Sequence, residues 1–164
     1  MNKISMRRAH LADIPTIMEL LRQVNEVHYQ GRPDLFRRVT KYSAEQLADI
    51  IQSEDNPVFV VVSDDDNAQE TVLAHLFCVT RDYSSSELFQ DIKTLYIDDL
   101  CVSETARGMG IGRFAMDWIC AWAREKGFYN VTLGVWECNP DARKFYEAMG
   151  MHVQESIMER ILGR

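Results

Sequence analysis

Cysteine is sparse in this chain. Cys78, Cys101, Cys120 and Cys138 are widely spaced and form no C-x-x-C pair. That excludes a recognisable disulfide framework or thiolate metal centre and points to a reducing, cytoplasmic setting. Cys78 and Cys101 fall in apolar, strand-like runs, where a free thiol behaves as a small hydrophobe. The four histidines (His10, His28, His75, His152) are scattered and no H-E-x-x-H occurs, so no metal is expected. Long apolar runs are missing too. The strongest, residues 58–62, is far too short to span a bilayer. Residues 1–8 carry three basic side chains with no apolar stretch behind them, so neither a signal peptide nor a membrane partner is expected. Basic excess is also lacking. Lys and Arg total 18 against 25 Asp and Glu, a net charge of -7. Nucleic acid is therefore an unsuitable partner, because phosphate binding rests on neutralisation by cations. The acidity favours a cationic partner slightly, or serves solubility alone. There are no internal repeats. The nearest thing to low complexity is Ser63-Asp64-Asp65-Asp66-Asn67, a solvated turn.

What is present is ordinary globular material. A chain of 164 residues suits one domain, taken as residues 1–164, and is long enough to bury a core without a cross-link. Hydrophobic residues at 46% and charged residues at 26% speak against disorder. Residues 4–8 read as an edge strand. Asp13 offers an N-cap and Pro15 sits just inside a helix start, where a missing N–H costs little. Ile14, Ile17, Met18, Leu21 and Val24 then recur at helical spacing to about Tyr29. Residues 30–42 lack a period and read as a loop. Ser43-Ala44-Glu45-Gln46 is a capping box, opening a helix with Ala44, Leu47, Ala48 and Ile51 on one face. Residues 58–62 and 71–80 suit an antiparallel hairpin. Residues 81–93 form a polar connection, and residues 94–102 another strand. Ile111, Phe114, Ala115, Trp118, Ile119 and Trp122 make the strongest amphipathic stripe in the chain, closed by Gly127. Val131, Leu133 and Val135 alternate as a strand. Asn139-Pro140 starts a last helix bearing Ala142, Phe145, Tyr146 and Met149, and residues 151–162 read as one or two closing strands. The order β-α-α-β-β-β-α-β-α-β predicts an α/β fold of α+β type: a mostly antiparallel mixed sheet with helices on both faces.

The chemistry is concentrated at Arg107-Gly108-Met109-Gly110-Ile111-Gly112, between a strand and the best helix. Glycines let backbone N–H groups approach a ligand, and a helix N-terminus adds unpaired donors and a positive dipole end. Together these suit a phosphate or pyrophosphate. The Walker pattern is excluded by the lack of a following Gly-Lys-Ser/Thr. The dinucleotide fingerprint fails because its sixth position is Arg113 instead of glycine. A plain strand-to-helix turn does not need three glycines in five residues.

Arg107-x-x-Gly110-x-Gly112 resembles the Q/R-x-x-G-x-G/A motif of the GCN5-related N-acetyltransferase (GNAT) family. The preceding strand Tyr96-Ile97-Asp98-Asp99-Leu100-Cys101-Val102 and the later segment Val135-Trp136-Glu137-Cys138-Asn139-Pro140 through Tyr146 are similar to that family's context and second coenzyme A motif. The likeness is specific over residues 95–151 and weak over the first 57. It implies a GNAT-like fold with acetyl-CoA as co-substrate and no metal. It implies that the strand end at Leu100, Cys101 and Val102 bonds the pantetheine arm through its backbone. One N–H there would stabilise the developing oxyanion. Arg107, Gly108, Met109, Gly110, Ile111, Gly112 and Arg113 would hold the pyrophosphate. Asn139 matches a pantetheine-binding position, and an Asn before Pro is equally a good N-cap. Tyr146 matches the family tyrosine that protonates the departing thiolate, as a phenol with a pKa of about 10 is able to do; it is also placed to pack as a core aromatic.

Asp98 and Asp99 are the base candidates. An alkylammonium with pKa near 10.4 costs about 4–5 kcal/mol to deprotonate at pH 7, and a carboxylate accepts that proton directly or through water. Adjacent strand residues point to opposite faces, so only one of the pair is expected to face the acyl group. Related polyamine acetyltransferases carry an acid at the position of Asp98, often Glu, and the shorter Asp suits a water relay. Glu137 is a further acid near the site, and Trp136 either lines it or packs. The expected activity is acetyl transfer to a primary amine in a ternary complex, a small cationic amine being slightly favoured. The alternatives are a non-catalytic acyl-CoA-binding regulatory module, or an acetyltransferase for a protein or peptide amine. No cysteine lies in a nucleophile motif, which disfavours a ping-pong route. A homodimer is a family-based expectation.

Overall fold

The structure is a computed structural model that describes residues 3–64 and 70–163. Its elements in chain order are β1 (Lys3–Arg8), α1 (Ile14–Gly31), α2 (Ala44–Ile51), β2 (Val58–Asp64), β3 (Glu70–Asp82), β4 (Lys93–Val102), α3 (Ile111–Glu125), β5 (Asn130–Leu133) and α4 (Pro140–Ala148). The five strands form one sheet in the order β1-β2-β3-β4-β5. The first four pair antiparallel, and β4 pairs β5 parallel. This is the mixed sheet the sequence predicts. Asp65, Asp66 and Asn67 of the acidic turn lie outside the described residues.

Strand alternation sorts the core into two layers. Val58, Val60, Val62 and Phe77 face α1 and α2, packing on Ile17, Leu21, Leu47 and Ile51. Phe59, Leu76, Leu95 and Ile97 face α3, packing on Met116 and Ile119, while Val61 and Ala74 meet Ile111 and Ala115. Large side chains such as Leu76 and Ile119 are fully buried, each contributing about 1.5–3 kcal/mol of transfer free energy. Trp118 and Trp122 sit at the rim of this layer, edge-on to Phe59 at 5.0 and 5.3 Å.

Several local readings are realised. The Ser43 capping box forms, with the Gln46 N–H donating to Ser43 Oγ (3.2 Å) and the Ser43 N–H to Gln46 Oε1 (2.8 Å). Gly127 follows α3 at φ +79°. Others are corrected. Ala44 lies outside the buried face of α2 and is exposed. Asp13 starts α1 without capping it through its side chain. Its carboxylate accepts from Arg7 Nη1 (2.8 Å), Arg7 Nη2 (3.1 Å) and the His10 N–H (2.7 Å). A buried charge is better served by a guanidinium than by helix N–H groups alone. Burial works against that charge, but these bonds outweigh it and hold the Asp13 carboxyl below its ordinary pKa.

The end of the chain departs most from expectation. β5 stops at Leu133, so Val135 is not in it, and residues 151–163 contain no strand. Val153, Ile157, Met158, Ile161 and Leu162 are 57, 94, 88, 72 and 92% exposed. These are strand-forming residues, but β-propensity orders a segment only against a ladder partner, and none of the described strands supplies one. No described helix is long and apolar enough to cross a membrane.

Candidate active site

The site is built where β4 runs beyond its parallel neighbour. Pairing with β5 covers Thr94, Leu95, Tyr96 and Ile97 only. From Asp98 to Val102, β4 has β3 on one side and no described strand on the other. Backbone groups on that open edge are left for a ligand to bond. The register with β3 also slips here, since Phe77 pairs with Asp99 and Cys78 with Ile97, leaving Asp98 as the extra residue of a β-bulge. A bulge re-aims the side chains beside it, and this one overturns the expectation of opposite faces. Asp98 accepts from Lys41 Nζ (2.6 Å) and the Tyr42 hydroxyl (3.1 Å). Asp99 Oδ1 lies 3.0 Å from His75 Nε2. Tyr42 and His75 both pack on Phe77, at 5.8 and 5.0 Å. Both carboxylates therefore sit on the side of the sheet that α1 covers.

His75 was not singled out in the sequence, yet it is fully buried. With Asp99 as acceptor, Nε2 carries the proton, and Nδ1 is buried without a hydrogen-bond partner among the described residues. Lys41 and Tyr42 lie in the loop following α1, which lacked any readable period. Burial opposes the Lys41 charge, but the hydrogen bond and attraction of Asp98 win, raising its pKa. Burial raises Tyr42, and burial also lowers His28 despite the nearby Asp99. His28 stacks on Phe36 at 5.0 Å, and Phe36 meets Trp136 edge-on at 5.0 Å. This ladder of rings joins α1, its following loop and the turn after β5 into one wall. Trp136 is thereby half-exposed at the site's margin, while Glu137 turns away to pair with Arg143 on α4.

Tyr146 sits on α4, edge-on to Phe145 at 5.2 Å. Burial raises its pKa, and the nearby Asp99 carboxylate raises it further, so the phenol keeps its proton well past neutrality. Cys101 is buried, and burial pushes its thiol up to about 12; a neutral thiol is a poor nucleophile. Gln23 of α1 braces this end of β4. It donates to Val102 O (2.8 Å) and accepts from the Glu104 N–H (3.1 Å). Asn139 caps α4, its side-chain oxygen accepting from the Ala142 N–H at 3.2 Å.

The glycine-rich loop divides its labour. Gly108 and Gly110 adopt φ of +76° and +80°, and a Cβ on either would meet nothing within 4 Å. They are glycine for backbone conformation, and their surface is open to a ligand. Gly112 is different, because a Cβ there would come 3.2 Å from the Phe145 ring. It is small so that α3 can pack against α4. Gly110 starts α3 without a side-chain cap, so the first-turn N–H groups of Ile111, Gly112 and Arg113 have no intrahelical acceptor. Arg107 and Arg113 are exposed beside them. These residues fit an anionic, phosphate-bearing ligand. No group of three or more His, Cys, Asp or Glu able to hold a metal occurs among the described residues.

An open strand edge, a glycine-rich loop at the head of the following helix and a buried phenol near Asp99 stand together in the fold of an acyltransferase. The chain belongs to the Acetyltransferase (GNAT) family, which it matches over residues 17–151. Among solved structures it is similar to a tetramutant of the BH1408 protein from Bacillus halodurans, at 31% identity and TM-score 0.88, covering 96% of this chain and 99% of that one. An aminoglycoside acetyltransferase, meta-AAC0020, from an uncultured soil metagenomic sample and in complex with sisomicin, matches at 17% identity and TM-score 0.69, over 98% of this chain and 96% of that one. The ribosomal-protein-alanine N-acetyltransferase from Brucella melitensis biovar Abortus 2308 matches at 15% identity and TM-score 0.69, over 98% and 100%. The last two likenesses show the fold alone. No curated protein matches the chain.

Proposed function

We propose that this protein is an N-acetyltransferase that moves the acetyl group of acetyl-CoA to a primary amine by direct attack in a ternary complex. The observation that carries the reading is the pair Asp98 and Asp99 on the unpaired end of β4, with Asp99 near enough to act on the Tyr146 phenol, one loop away from Gly108 and Gly110. Acetyl-CoA supplies the activated acetyl group as a thioester. The loop from Arg107 to Arg113 holds its pyrophosphate. The backbone of Leu100, Cys101 and Val102, with the Asn139 carboxamide, holds its pantetheine arm. Asp98 receives the proton of the acceptor ammonium, directly or through water. Asp99, tied to buried His75, fixes the negative field of the pocket. Tyr146 protonates the departing sulfur, a role suited to a phenol whose pKa is raised.

The acceptor in this reading is a small cationic amine, supported by the net charge of -7 and by the two carboxylates. Lys41 competes for one of them, so the acceptor has to displace a resident ammonium. The protein acts in the cytosol without a metal, as a homodimer; the exposed apolar side chains of the C-terminal segment support self-association, which light scattering measures.

The test is coenzyme A thiol release from acetyl-CoA across polyamines, aminoglycosides, amino acids and short peptides, with wild type beside Tyr146→Phe. Release with one amine class is expected, falling 10²–10⁴-fold or so in the variant, the usual range for a lost general acid. Tight acetyl-CoA binding with no release to any acceptor would favour a regulatory acyl-CoA-binding module. Absence of acetyl-CoA binding sinks the reading altogether.

A further inference from the structure

The loop after α1 places an amine where the proposed reaction needs one. Lys41 Nζ stands 2.6 Å from Asp98 Oδ2, and the Tyr42 hydroxyl donates to the same oxygen at 3.1 Å. Lys41 is drawn in from a loop with no helix or strand of its own, yet its side chain stays 39% exposed. It is thus held at the carboxylate without being locked in the core. No other lysine shares this position. Lys93 pairs with Asp82 at 3.3 Å, at the opposite end of β4. Lys3, Lys126 and Lys144 are exposed, on β1, at the end of α3 and on α4.

We propose that Lys41 is a self-acetylation site, modified by this protein's own active site when acetyl-CoA is bound and no acceptor is present. The inference rests on the reading that Asp98 takes the acceptor's proton. The Lys41 ammonium gives one proton to Asp98, which passes it to solvent. The neutral amine attacks the thioester carbonyl carbon, so a C–N bond forms as the C–S bond breaks. Tyr146 gives its phenolic proton to the departing sulfur and regains one from the attacking nitrogen. The products are an acetamide on Lys41, free coenzyme A and one proton. The amide carries no charge, so Asp98 loses its ion pair and the loop loses that tether.

The experiment incubates the full chain with acetyl-CoA and no amine, then reads intact mass and maps the acetylated peptide. One acetyl group at Lys41 is expected. It should form on the order of 10²-fold faster than in Tyr146→Phe, as the loss of a general acid implies, at a rate per chain independent of protein concentration. Lys41→Arg keeps a cation for Asp98 and should fold normally but lose the mapped acetyl group. An unmodified Lys41, acetylation spread evenly over the lysines, equal rates in Tyr146→Phe, or a rate per chain rising with protein concentration would each overturn the proposal. Thiol release with added amines, run in parallel, separates the two claims. Release beside an unmodified Lys41 overturns self-acetylation alone, whereas failure to bind acetyl-CoA overturns the function it rests on.

Discussion

Gly31→Ala sets two effects against each other at a point that shapes the site. Gly31 is the last residue of α1. Alanine there gains helix propensity, at most about 1 kcal/mol and less at a helix end. Against this, a Cβ on Gly31 would lie 2.7 Å from Cys138 Cβ, 2.8 Å from its Sγ and 3.3 Å from its backbone oxygen. Two of these three atoms, Cβ and O, cannot swing away as a side-chain tip can, so the turn after β5 has to move as a body. Overpacking of that kind costs about 1–3 kcal/mol. The clash wins, leaving a net loss of about 1–2 kcal/mol. At this chain length that lowers Tm by roughly 2–8 °C. The displaced turn carries Trp136 and Asn139, so acetyl-CoA affinity should fall as well. Urea unfolding followed by tryptophan fluorescence, with a thermal scan, measures the loss. Cys138→Gly supplies the second arm, since removing the Cβ it clashes with should recover most of the stability, with a coupling of 0.5 kcal/mol or more by the usual scale of contacting pairs. A stability gain in Gly31→Ala, or additivity in the double variant, would refute the argument.

Two further tests follow. The Asp13 pKa is lowered by folding, so its stabilisation is complete above the unfolded aspartate value of about 3.9 and fades as pH falls through the lower folded value. Urea unfolding between pH 7 and 3 should show wild type losing this contribution on the acid side, while Asp13→Asn starts about 1–3 kcal/mol weaker and changes less with pH; parallel curves would contradict it. Asn139→Ala should cost about 1 kcal/mol through the lost cap on Ala142 and should weaken acetyl-CoA binding. Asn139→Asp should restore the cap but not the affinity, since it lacks the carboxamide N–H; calorimetry showing full affinity would leave Asn139 as a cap only.

Much of the fold was legible because its signals are local. The stripe from Ile111 to Trp122 carries its own period, the Ser43 box closes within one turn, and Gly127 stops a helix wherever that helix lies. The glycine-rich turn before α3 was legible for the same reason, although the separate reasons for Gly110 and Gly112 were not, since one depends on φ and the other on a ring from α4. Residues 151–162 misled because alternation and β-branching describe a strand without saying whether a partner is there to pair with it.

The sequence by itself determined most of the helices and strands from β1 to α4, and the order along the chain of the acid-rich strand, the glycine loop and the tyrosine. Side-chain periodicity and backbone freedom act over a few residues and need no distant partner. Only the tertiary structure decided that a bulge at Asp98 turns both carboxylates to one side, that His75 backs Asp99, that Gly31 must leave room for Cys138, and that Lys41 pairs with Asp98. Each of these depends on strand register or on contacts between residues far apart in the chain, and register is settled by how whole elements pack, not by the residues that end up touching.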